Sequence, residues 1–101
     1  MPTFLNGAWV DDATVSAFDA AVQHGVGLFE TMRAEGDRVI RLVEHLERLQ
    51  HSARTLRLMS ELHIQPLADA VVETVRRNGH ERSRVRLTLT GGDLSMLGGG
   101  A

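Results

Sequence analysis

The sequence contains no cysteine. It therefore builds no disulfide framework, no thiolate nucleophile and no thiolate metal site. It contains no lysine either, since all eleven basic residues are arginines. Chemistry that needs a side-chain amine, such as Schiff-base formation, cannot be completed within these residues. No run approaches the roughly 18 consecutive apolar residues of a membrane helix. The N-terminus lacks the basic, apolar, small-residue order of a secretion signal. These absences set a cytoplasmic location, away from membranes, as the expectation. Nor does charge of one sign dominate. Eleven basic against thirteen acidic residues give a formal charge of -2, which argues against a basic nucleic-acid binder.

What is present describes one domain. The chain has 101 residues, 43% hydrophobic and 24% charged, a balance that favours an ordered core over disorder. Residues 3–10 read as a hairpin, because Asn6-Gly7 separates Phe4-Leu5 from Trp9-Val10. Ser16 with Asp19 offers a cap for a brief helical turn. Residues 25–34 alternate as a strand. Val26, Leu28, Glu30 and Met32 share one face; Gly27, Phe29, Thr31 and Arg33 share the other. Glu35-Gly36-Asp37 is a turn, and Arg38 to Arg41 returns as a second strand. Leu42, Leu46, Leu49, Ala53 and Leu56 give residues 42–58 a helical stripe. Pro66 suits the first turn of another helix, with Leu67, Ala70, Val71, Thr74 and Val75 as its stripe and Asn78-Gly79 as its stop. Residues 84–90 alternate again, with Val85, Leu87 and Leu89 inward. The tail, with Gly91-Gly92 and Gly98-Gly99-Gly100, reads as a flexible linker. The expected architecture is α+β, a mainly antiparallel sheet with two helices packed on one face.

Few residues stand out chemically. Arg48 lies at the edge of the long helix's buried stripe. As a surface residue, its stem would cover apolar area; as a site residue, its planar fork matches phosphate oxygens. Phe29 lies on the glycine face of its strand, either lining a pocket or packing on a second layer. His24, His45, His51, His63 and His80 show no metal-ligand spacing and read as unrelated packing or surface residues. The glycines at 25 and 27 are not a dinucleotide fingerprint, and Ser52 and Ser60 lack the base and acid of a triad.

Taken together, several segments resemble the N-terminal small domain of class IV (fold type IV) pyridoxal-phosphate aminotransferases. That family includes branched-chain and D-amino acid aminotransferases and aminodeoxychorismate lyases. The likeness runs through Leu5-Asn6-Gly7-Ala8-Trp9-Val10 and Gln23-His24-Gly25-Val26-Gly27-Leu28-Phe29-Glu30-Thr31. It is sharpest at His45-Leu46-Glu47-Arg48-Leu49 and closes at Arg86-Leu87-Thr88-Leu89-Thr90-Gly91-Gly92. The resemblance implies that Arg48 is the arginine of the His-x-x-Arg-Leu motif, which holds the cofactor phosphate. It implies that Phe29 lines the substrate side-chain pocket, with Thr31 and Arg33 on the same strand face. His24 falls where relatives usually place Tyr or Phe in that pocket. The Thr-Arg-Gly that many members carry after the last strand is Thr90-Gly91-Gly92 here.

The resemblance further implies a homodimeric pyridoxal 5′-phosphate enzyme that moves an amino group between an amino acid, branched-chain type favoured, and a 2-oxo acid. In that family the Schiff-base lysine lies in a larger C-terminal domain. Residues 1–91 are then expected to be the small domain and 92–101 the start of an interdomain linker. The chain is expected to be a fragment that is inactive alone, with no catalytic residue and no metal ligand of its own. The alternatives are an aminodeoxychorismate lyase-type enzyme and a non-catalytic orphan domain that binds a partner.

Overall fold

A computed structural model describes residues 1–59 and 61–92. The chain opens with an antiparallel hairpin of β1 (Thr3–Leu5) and β2 (Ala8–Val10). Asn6 and Gly7 both take positive φ, 49° and 84°, the tight-turn geometry that matches strand twist. The Phe4 and Trp9 rings pack 5.0 Å apart. Arg77 lies over the Trp9 ring at 3.9 Å, which holds the hairpin against the third helix. A short helix, α1 (Ala20–His24), follows. Asp19 caps it by accepting from the Ala21 N–H at 2.9 Å.

The main sheet has three strands: β3 (Gly27–Glu35), β4 (Arg38–Val39) and β5 (Arg82–Thr90). Its order is β4-β3-β5, antiparallel throughout. Gly27 pairs with Thr90 and Glu35 with Arg82, a ladder without a bulge. The helices α2 (Leu42–Thr55) and α3 (Ile64–Asn78) connect β4 to β5. Both pack on the face that carries Met32 and Ala34. Met32, Ala34, Val71, Val75 and Val85 form the central core, flanked by Val39, Leu42 and Leu87. Leu46, Leu49 and Ala53 are the buried residues of α2. The α+β expectation holds; the expected hairpin forms a sheet of its own, and the expected brief helical turn is α1.

The last strand begins at Arg82 rather than residue 84, and four further differences from the sequence reading have a physical reason. Gly25 does not begin a strand. It closes α1 in the left-handed region at φ 67°, so β3 starts at Gly27. The strand expected over 38–41 stops at Val39. The Ile40 N–H still donates to Arg33 O at 2.8 Å, but Arg41 turns left-handed, φ 54°, to enter α2. The helix expected over 42–58 ends at Thr55. Arg57 takes φ 57°; its N–H donates to Arg54 O, and the Leu58 N–H to Ala53 O. That is a Schellman ending built on arginine where glycine is usual, and it leaves Leu56 exposed. Finally, Gly91 and Gly92 are docked on α1. Gly92 O accepts from the Ala20 N–H at 2.8 Å, and the Gly91 N–H donates to Val26 O at 3.2 Å. A Cβ on Gly91 would sit 3.0 Å from the Ala20 Cβ, so a larger residue would press the two segments a few tenths of an ångström apart. The remaining tail, with Gly98-Gly99-Gly100, lies outside the described residues, as does Ser60.

Candidate functional site: an arginine cradle on the helix-covered face

Glu30 sits on the inward face of β3, in phase with Met32 and Ala34, and is only 8% exposed. A carboxylate in that position needs partners. The helix α2 crosses above it and supplies two, from positions three residues apart on one helix face. Arg48 Nε donates to both Glu30 oxygens at 3.2 Å, and Arg48 Nη2 donates to Oε1 at 2.7 Å. His45 Nδ1 lies 2.6 Å from the same Oε1. An ionised carboxylate only accepts, so Nδ1 carries the proton and donates. The 3.2 Å approach of Arg48 Nη2 to His45 Nδ1 is then a contact between two donors. The hydrogen bonds from Arg48 hold the Glu30 carboxyl below its usual range. Burial opposes that shift, and His45 adds to it.

The guanidinium is not enclosed. Glu30 lies beneath it, while the Arg48 side chain remains 65% exposed. Its outer side opens on a depression of about 120 Å³ lined by Arg41, Glu44, His45 and Arg48. Two guanidinium groups beside an imidazole suit a small oxyanion; Glu44 is the one lining carboxylate, and it opposes such a guest. A larger groove of about 560 Å³ runs between the N-terminal segment, the end of α3 and β5. None of the residues predicted from sequence lines it. Among the described residues, no group of three His, Cys, Asp or Glu side chains is placed to share a metal ion. No helix among them is long and apolar enough to cross a membrane.

The residues predicted from sequence fall in three places. Arg48 stands on the helix-covered face. Phe29, Thr31 and Arg33 stand together on the opposite, open face of the sheet, as their alternation implied. There the Arg86 guanidinium lies over the Phe29 ring at 4.1 Å, and Thr31 pairs with Arg86 in the ladder. Arg33 Nη2 reaches Glu35 at 3.3 Å. His24 ends α1, exposed, with no hydrogen bond to the others among the described residues.

Sequence reasoning gave two members of the cradle, His45 and Glu30, no role in it. His45 is not an unrelated packing histidine; it is bound to Glu30. Glu30 carried a signal in the sequence, a carboxylate in phase with the apolar side of its strand.

The fold and site define a small α+β domain that carries a carboxylate-braced, largely exposed arginine. The family described as "Amino-transferase class IV" matches residues 27–97, and the chain belongs to it. A Methanocaldococcus jannaschii protein, provisionally named a branched-chain-amino-acid aminotransferase, is 40% identical over 94 residues, covering 91% of this chain and 33% of that protein. The crystal structure of Escherichia coli branched-chain amino acid aminotransferase superposes with a TM-score of 0.78 at 30% identity, over 87% of this chain and 31% of that one. The branched-chain aminotransferase of the archaeon Thermoproteus uzoniensis, solved with norvaline, gives a TM-score of 0.77 at 35% identity, over 87% and 32%. The chain thus spans about a third of the length of the relatives it matches.

Proposed function

We propose that this chain forms the small domain of a pyridoxal 5′-phosphate-dependent aminotransferase of the branched-chain type, with Arg48 holding the cofactor phosphate. Residues 1–91 are that domain, and 92–101 begin the connection beyond it. The observation that carries the reading is the Arg48 guanidinium, anchored on one side and open to a small cationic depression on the other. Its donors fit a phosphate, and Arg41 stands beside it as a second cation. The bound cofactor supplies the electron sink for moving an amino group between an amino acid and a 2-oxo acid.

On the open face, Phe29 shapes the pocket for the substrate side chain. Thr31, Arg33 and His24 contribute to its walls. The names of the relatives support the branched-chain type. The enzyme is cytoplasmic and acts as a homodimer. Exposed Val15, Phe18 and Val22 around α1 supply apolar surface for a further domain or subunit to cover.

Equilibrium binding of pyridoxal 5′-phosphate to the purified protein tests this. Arg48→Ala is expected to weaken binding about tenfold or more, the scale of one lost charged hydrogen bond. Unchanged affinity would remove Arg48 from the site. The 101 residues hold no lysine, so by themselves they are expected to transfer no amino group; turnover by this chain alone would refute that.

A further inference from the structure

We propose that Glu30 and His45 are positioning residues that clamp the Arg48 guanidinium by its Nε–Nη2 edge, so that an incoming phosphate meets only the outer Nη1–Nη2 end. The inference rests on the reading of Arg48 as the phosphate ligand and specifies how it binds.

An arginine offers oxyanions two forks, one from Nε with Nη2 and one from Nη1 with Nη2. Glu30 fills the first, accepting from Nε at 3.2 Å with both oxygens and from Nη2 at 2.7 Å. The Nη1–Nη2 end makes no hydrogen bond to a carboxylate among the described residues beyond that Nη2 contact. His45 donates to Oε1 from the other direction and so fixes the carboxylate itself. Each partner is set by secondary structure, because Glu30 lies in a strand paired along its length and Arg48 and His45 lie in one rigid helix. A site built on such elements holds its geometry better than one on loops.

The clamp has an electrostatic cost. A carboxylate beside the guanidinium reduces its attraction for an anion. What it contributes is order, for a side chain that is otherwise mostly solvent-exposed and rich in rotamers. The two effects on affinity oppose each other, so the decisive readout is which nitrogens answer to the ligand.

The test is a titration of the ¹⁵N-labelled protein with pyridoxine 5′-phosphate, followed through the Arg48 Nε–H and Nη signals. This probe has the phosphate but no aldehyde to react with the N-terminal amine. The Nη signals are expected to shift while Nε–H stays in place. In Glu30→Gln, water exchange of Nε–H is expected to quicken about tenfold, equivalent to losing one charged hydrogen bond, and the ligand is expected to perturb Nε–H as well. His45→Ala should show the same pattern more weakly.

If Nε–H shifts in the unaltered protein, the phosphate displaces Glu30 and the clamp is overturned while Arg48 remains the ligand. If no Arg48 signal responds, the reading of Arg48 as phosphate ligand fails too. If Glu30→Gln changes only the melting temperature, Glu30 is structural and the clamp is overturned. Where Glu30→Gln does not fold, the titration of the unaltered protein decides alone.

Discussion

Asp19→Ala removes a residue that ties three parts of the fold together. The Asp19 carboxylate is 8% exposed. One oxygen accepts from the Ala21 N–H at 2.9 Å and caps α1. The other accepts from the Thr90 hydroxyl at 3.0 Å, at the end of β5. The Thr90 oxygen in turn accepts from the Gly92 N–H at 3.1 Å. Loss of an N-cap costs about 1 kcal/mol. Loss of the half-buried hydroxyl bond costs about 1 kcal/mol more. The sum, about 2 kcal/mol, is a large share of the roughly 5–15 kcal/mol that holds a small domain. Urea unfolding followed by circular dichroism should show that loss, and the melting temperature should fall by roughly 10 °C. Asp19→Asn keeps a good cap and should lose about half as much. In a double-mutant cycle with Thr90→Val, the two changes should fall short of additive by about 1 kcal/mol, since they share one bond. A loss under about 0.5 kcal/mol in Asp19→Ala, or an Asp19→Asn variant as damaged as Asp19→Ala, would refute this account of the cap.

Two further outcomes are expected. Met32 is fully buried among Val71, Val75 and Val85, so Met32→Ala should cost about 3 kcal/mol through lost transfer energy and a cavity; a urea midpoint close to that of the unaltered protein would contradict the packing. The carboxyls of Glu30 and Glu73 are held below the usual 4.5, each first by hydrogen bonds from arginine, Arg48 in one case and Arg76 then Arg77 in the other. A lowered folded-state pKa adds stability that is present above the unfolded value and lost as pH falls through the folded one. Stability measured across pH should therefore decline below about 4.5, and Glu30→Gln should flatten part of that decline; an acid limb unchanged in the variant would count against the Glu30–Arg48 pair.

Local signals in the sequence led to much of this fold. Asn6-Gly7 set the hairpin, because two consecutive positive-φ positions suit few other residue pairs. Period-two alternation alone places Met32 and Phe29 on opposite faces of their strand. Asp19 was recognisable as a cap. Two of the errors came where a residue accepts a backbone state that its type seldom adopts. Arg41 and Arg57 both turn left-handed, and no glycine marks either turn. The site divided along the same line. Arg48 was legible from its motif and its place at the stripe edge. The Glu30–Arg48–His45 contact joins residues 15 and 18 positions apart, so it arises only when α2 crosses β3. A strand reading shows that Glu30 points inward; it does not show which helix residue meets it.

The two faces of β3 also explain why fold and site stand or fall together. Phe29 and Glu30 are consecutive, so the pleat sends them to opposite sides of the sheet. Phe29 faces the open side, beneath Arg86, while Glu30 faces α2 and anchors Arg48. Which residue takes which side is not decided locally. It is decided by Met32 and Ala34, two and four positions beyond Glu30, whose burial against α3 fixes the phase of the strand. A slip of one residue would place Phe29 beneath the helices and Glu30 on the open face. It would also take Met32 out of the core. The apolar packing that keeps the domain folded therefore selects the register in which a carboxylate lies under the guanidinium.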